Sequence, residues 1–161
     1  MANKESLRKL IIDALTKDFE TANNAANTAK ETATSKETVA ENKYDTFGLE
    51  ASYLAHGQSI RVNELAEAIE RYKNLPFKQF GERDNVDTTA LVTLETENDN
   101  NKYFFIGPEA GGLKLHWQGR DIMVITPSTP LGRQLLGKRL DDTIELHIKN
   151  NHIIYDIIAI D

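Results

Sequence analysis

The stretch LRKLIIDALTKDFETANNAANTAKET, residues 7–32, carries Leu7, Leu10, Ile11, Ala14, Leu15, Ala22, Ala25, Ala29 and Thr32 at spacings of three, four or seven. That period lines them along one stripe of an α-helix. The region after it repeats the pattern with Tyr44, Phe47, Ala51, Leu54, Ala55, Gln58, Val62, Leu65, Ile69, Tyr72 and Leu75, and no proline interrupts either stretch. Two helices of about thirty residues follow, each on the order of 45 Å long at about 1.5 Å of rise per residue. A neighbouring domain of about 80 residues is too small to cover them. Residues 1–75 are therefore expected to form an antiparallel two-helix coiled-coil hairpin, each helix burying its stripe against the other.

The stripe is graded. Leu7, Leu10, Ile11 and Leu15 are expected to face Leu65, Ile69 and Tyr72 at the base, and Ala22, Ala25 and Ala29 to face Ala51 and Ala55 nearer the turn. Alanine buries less apolar area, worth about 25 cal/mol per Å², so the tip end should be slim and the less stable. The turn is placed within residues 33–43, where Thr34-x-x-Glu37 and Thr38-x-x-Glu41 are two overlapping capping boxes for the second helix. With a start near Ser35, Glu37, Glu41 and Asp45 fall on one acidic stripe at successive i+4 steps. Gly48 and Gly57 inside the second helix each cost about 1 kcal/mol relative to alanine, which close packing or a bend would explain.

Leu75-Pro76 stops the helix, and residues 76–86 read as a linker. From residue 87 to 161 the period changes to that of strands: 88–96, 102–107, a weaker 113–117, 121–126, 143–149 and 152–160. Asn150-Asn151 suggests the last hairpin turn, which would keep His147 and His152 from lying directly opposite each other. Between strands, Pro130 to Gly137 has proline at a helix start and glycine at its end, so one short helix is expected. Several antiparallel strands with one helix make an α+β domain.

A formal charge of -6 and a pI near 5.3 argue against independent binding to DNA or RNA, which depends on many cationic contacts to phosphate. Acidic and basic residues nearly balance along 1–75, so the hairpin offers no basic patch. The absence of cysteine excludes disulfides, thiolate zinc sites and a thiol nucleophile. His56, His116, His147 and His152 show no metal-ligand spacing and read as structural or surface residues. Gly107 to Gly112 lacks the lysine and setting of a phosphate loop and reads as a turn, and Tyr103 and Trp117 as core or rim residues. The polar start, Met1-Ala-Asn-Lys-Glu, has no apolar signal segment, and no run approaches a membrane span, so a cytoplasmic protein is expected.

The run Thr129-Pro130-Leu131-Gly132-Arg133-Gln134-Leu135-Leu136-Gly137-Lys138, with Asp141-Asp142 and a terminal hairpin after it, resembles the end of the Gre transcription elongation factors. There a Ser-Pro, a small helix, a Leu-hydrophobic-Gly-Lys and an acidic pair precede the last two strands. Thr129 stands for the usual serine. Glu41-Asn42, with Tyr44 close behind, is similar to the Gre Glu-Asn-x-x-Tyr stretch beyond the tip, although Tyr44 comes three residues after Glu41 rather than four. The order of hairpin, linker and globular domain matches the family along nearly the whole chain. The resemblance implies an FKBP-like fold for residues 87–161.

It also implies a function. Gre factors hold the rim of the secondary channel of bacterial RNA polymerase with the globular domain and insert the hairpin, whose acidic tip helps place Mg²⁺ and water for cleavage of backtracked RNA. The chemistry belongs to the polymerase, so no catalytic residue or cofactor of the chain's own is expected, and nascent RNA is met only indirectly. Glu41, Glu37 and Asp45 are the tip acids this implies, Glu41 and Glu37 acting jointly with polymerase-bound Mg²⁺. Asn42 and Tyr44 support the tip, and Pro130, Leu131, Gly132, Arg133, Leu136, Gly137 and Lys138 are candidates for docking on the polymerase. The family tip reads Asp-x-x-Glu-Asn, and aligning Glu41-Asn42 puts Thr38 at its first acidic position. A monomeric channel binder that stimulates cleavage, one that inhibits or competes without it, and a coiled-coil scaffold unrelated to the polymerase active site all remain open. Prolyl isomerase activity ranks below these, since fold does not confer function.

Overall fold

A computed structural model describes residues 3–34 and 47–161, apart from the side chains of 33, 34, 47, 48 and 51–53. The elements run α1 (Glu5–Thr34), α2 (Phe47–Asn74), β1 (Leu91–Thr96), β2 (Asn101–Ile106), β3 (Lys114–Trp117), β4 (Arg120–Ile125), α3 (Pro130–Leu135), β5 (Thr143–Ile148) and β6 (Asn151–Ile160). They divide into two compact units, Met1–Ile11 with Asn74–Asp161, and Ile12–Lys73.

The helices α1 and α2 are the two long arms expected of the hairpin. Glu50 in the first turn of α2 and Arg71 and Lys73 in its last complement the helix dipole. In the unit Ile12–Lys73, α1 buries Leu15, Ala22, Ala26 and Ala29, and α2 buries Leu65, Ala68, Ile69 and Tyr72. The stripe thus passes from large side chains to alanine, as expected, with two corrections. Ala26 takes the place expected for Ala25, which is exposed, because two adjacent alanines give the pattern no preference between them. Leu54 stands 56% exposed rather than in the seam. Gly57 is exposed with nothing near the position of a Cβ, so close packing does not account for it.

In the other unit six strands form one sheet in the order β3-β4-β2-β1-β6-β5. All neighbours are antiparallel except β2 and β4, which run parallel because β3 intervenes in the chain and pairs on the far side of β4. A bulge between Thr93 and Leu94 shifts the register of β1 on β6. Alternation turns Val92, Leu94, Phe104, Ile106, Ile125, Ile144, Leu146, Tyr155 and Ile157 to one face, where Leu131, Leu135 and Leu136 of the α3 region pack. Leu91, Phe105, Ile122 and Val124 are buried from the opposite face. The middle of the sheet therefore contributes core on both sides.

Residues 76–86, read as a linker, pack instead as a strap. Phe80 and Val86 join the core, Phe77 lies 5.3 Å from the Phe105 ring, and Val86 exchanges backbone hydrogen bonds with Gly137 and Lys138. Lys78 donates to Asp87, which holds that carboxyl below its ordinary range, with the Thr88 backbone N–H adding to the effect. Lys4, Ser6 and Arg8, expected at the root of the hairpin, make contacts within the sheet unit instead. Buried Lys4 donates to the carbonyls of Thr89 at 2.8 Å and Asp161 at 3.0 Å, the Trp117 indole donates to Ser6 Oγ at 2.8 Å, and Arg8 lies over the Phe77 ring.

The last hairpin turns at Lys149-Asn150, not Asn150-Asn151, with Lys149 in the left-handed region at φ 54°. The one-residue difference pairs Ile148 with Asn151 and sets His147 directly opposite His152, correcting the expectation that they are offset.

Candidate functional site

The segment after β4 is built by local rules. Thr129 caps α3: its Oγ1 accepts from the Gly132 N–H at 3.1 Å and donates to the Thr126 carbonyl at 2.8 Å. Pro130 follows at the first helical position, where its missing N–H costs nothing. Gly132 is buried against the Thr126 carbonyl, and a Cβ there would come to 2.0 Å of that oxygen. Leu135 is fully buried, Leu131 and Leu136 pack partly buried on the core, and Gly137 ends the segment at φ 82°.

Of the docking candidates, Pro130, Arg133, Gly137 and Lys138 are exposed, whereas Leu131, Gly132 and Leu136 are wholly or partly buried in the fold. The exposed part of the segment carries cations at Arg133, Lys138 and the neighbouring Arg139. Arg139 Nε donates to Asn85 Oδ1 at 2.8 Å, which steadies one edge of it. The acidic pair beyond also has work in the fold: Asp142 Oδ2 accepts from the Arg139 N–H, the Asp142 carbonyl accepts from Ile157, and Asp141 at φ 70° donates to the Ile157 carbonyl. The arrangement suits acidic or carbonyl-rich protein surface, through charge-assisted hydrogen bonds.

The expected tip residues, Glu37, Glu41, Asn42, Tyr44 and Asp45, lie outside the described residues. The carboxylates proposed to act with Mg²⁺, Glu41 and Glu37, are among them.

A feature the sequence did not single out is an open groove of about 620 Å³ over β2, β3 and β4, lined by Lys102, Tyr103, Lys114, His116 and Met123 among others. His116 Nδ1 lies 2.8 Å from Asp121 Oδ1 at its margin. Its signal was the weak strand around Leu115, whose short edge leaves the groove uncovered.

The family model that matches this chain falls on the same half of it. The family described as transcription elongation factor, GreA/GreB, C-term, matches residues 81–161. Transcription elongation factor GreA of Brucella canis is 29% identical over 101 residues, 62% of this chain and 60% of that protein. The GreA of Brucella suis matches to the same extent. The chain thus spans about 60% of the length of these curated relatives. Among solved structures, GreA factor homolog 1 (Gfh1) of Thermus thermophilus aligns over 93% of this chain and 94% of its own, at 20% identity and a TM-score of 0.40. The family match takes in the strap from Gly81, the capped helix α3 and the closing β5–β6 hairpin, half of the chain, and on that match the chain belongs to the GreA/GreB family of transcription elongation factors.

Proposed function

We propose that the chain binds bacterial RNA polymerase through the surface around α3 and presents the tip of its helical hairpin in the polymerase's secondary channel. The family match over residues 81–161 carries this reading. The alanine-rich stripe of Ala22, Ala26 and Ala29 supports it, since small side chains let two helices lie close and keep that stretch slim enough for a narrow channel. The chain acts as an accessory factor, and bond cleavage, where it occurs, is performed by the polymerase with its own Mg²⁺.

Within this role the sequence favours occupancy of the channel over stimulation of transcript cleavage. Thr38 stands where the family tip carries its first aspartate, which leaves Glu41 with Glu37 or Asp45 as the available carboxylates. One carboxylate can orient a water, but holding a second Mg²⁺ calls for a convergent pair.

The experiment is competition on core polymerase with a known channel-binding factor, followed by cleavage assays on backtracked complexes. Displacement of the competitor is expected, and failure either to bind or to displace ends the reading. An unchanged cleavage rate leaves occupancy alone, whereas acceleration that Glu37→Ala with Glu41→Ala removes restores the cleavage role. A scaffold with another partner would keep both its partner and its effect in that double variant.

A further inference from the structure

The outer face of the β5–β6 hairpin holds a group of side chains outside the α3 segment proposed above for docking. Ile144 and Leu146 of β5 and Tyr155 and Ile157 of β6 point into the core. Alternation therefore turns Glu145 and His147 of β5 and His152 of β6 to the opposite side. With Ile148 and Asn151 closing the two-residue turn, His147 and His152 form the next pair, a non-hydrogen-bonded one in which side chains approach most closely. Their rings stack with centroids 4.3 Å apart and planes 1° from parallel. His152 Nε2 stands 3.2 Å from Glu145 Oε2. One ligating atom from each of the three residues lies within 4.8 Å of the other two, and all three side chains are exposed.

We propose that Glu145, His147 and His152 form a binding site for a divalent transition-metal ion of the zinc class. Two imidazoles and one carboxylate are a donor set that such ions take readily, whereas Mg²⁺ prefers oxygen ligands alone. Ligand atoms held about 2.0–2.2 Å from zinc at tetrahedral angles sit roughly 3.3 Å from one another. The Glu145–His152 separation of 3.2 Å already meets that spacing. His147 completes the set by turning its ring out of the stack, a motion open to an exposed side chain.

The backbone beneath is fixed. Gln134 Nε2 donates to the Glu145 carbonyl at 2.8 Å, tying the ligand strand to α3, and Thr143 Oγ1 donates to Asp156 Oδ1 at 2.7 Å in the outward pair farther along. Three protein ligands leave a further coordination position for water or for a donor from another molecule. The site rests on the hairpin alone and stands or falls independently of polymerase binding.

The test is calorimetric titration of the full chain with ZnCl₂, alongside NMR spectra of the imidazoles. Saturable binding of one ion per chain is expected, with resonance shifts at His147 and His152 and none at His56 or His116. His147→Ala and His152→Ala should each weaken binding by about tenfold or more, Glu145→Gln should weaken it less, and His116→Ala should leave it unchanged. Mg²⁺ in place of Zn²⁺ should give no saturable heat. Absence of saturation in the wild type, or saturation that survives loss of both histidines, overturns the proposal. The wild-type shifts decide the matter even where a variant folds poorly.

Discussion

Gly132 and Gly57 look alike in the sequence and differ in what surrounds them. At Gly132 an added methyl would collide with the Thr126 carbonyl, which is backbone and has no rotamer to yield. Gly132→Ala should therefore cost about 3 kcal/mol in urea unfolding. Gly57 has open space at the same position within α2, so Gly57→Ala should raise stability by about 1 kcal/mol through helix propensity alone. Lys4 poses the other residue-scale question. Burial pulls its amine down from 10.5 to about 8, opposed by the charge of Asp161. Between about pH 8 and 10.5 the native state then binds fewer protons at this group than the unfolded chain, so its contribution to stability rises with pH. Lys4→Met should lower stability at neutral pH by on the order of 1–3 kcal/mol, because the Thr89 carbonyl loses its donor. Unfolding measured from pH 7.5 to 10 should show the wild type gaining on the variant as pH rises, and parallel curves would refute the assignment to Lys4.

Helix α3 is short enough that its cap decides whether it forms. Thr129→Ala removes both the bond to Gly132 and the bond to Thr126, and should cost about 1 kcal/mol, whereas Thr129→Ser keeps the hydroxyl and should be nearly neutral. Thermal melts of the two variants separate a capping role from a methyl-packing role, which would make serine as costly as alanine. The elements themselves were legible: all six strands fall within a few residues of their expected bounds, and proline and glycine marked α3. Three things were not. The turn at Lys149-Asn150 was displaced by one residue because asparagine is the better left-handed residue, yet Lys149 takes that conformation, and the slip hid the facing histidines. The parallel pairing of β2 with β4 depends on β3 pairing on the far side of β4, and no local pattern records that. The strap looked like a linker because its turn-forming residues outweighed the signal of Phe77, Phe80 and Val86. Nor did the motif around Pro130 distinguish the residues that the fold itself wholly or partly buries, Leu131, Gly132 and Leu136, from those it leaves exposed.

At the scale of the molecule, the two units bury apolar surface in different ways, and the difference sets where the chain opens. The sheet unit has core on both faces of its central strands, so its amides there report global unfolding. The unit Ile12–Lys73 relies on a single stripe, in which Leu15, Leu65, Ile69 and Tyr72 give way to Ala22, Ala26 and Ala29. Each methylene missing from a buried position forgoes about 0.8 kcal/mol, so a layer with alanine in place of leucine is about 2 kcal/mol weaker. Leu49, Leu54 and Ile60 do not repair the deficit, since all three lie on the exposed side of α2. Native-state hydrogen exchange should accordingly show protection falling along α1 from Leu15 to Ala29 by more than about tenfold, and rising along α2 toward Tyr72. Such a gradient would let the far part of the hairpin adjust to a partner while the rest stays formed. Equal protection from Leu15 to Ala29 would instead mean that the unit opens all at once, and the alanines would then matter for width alone.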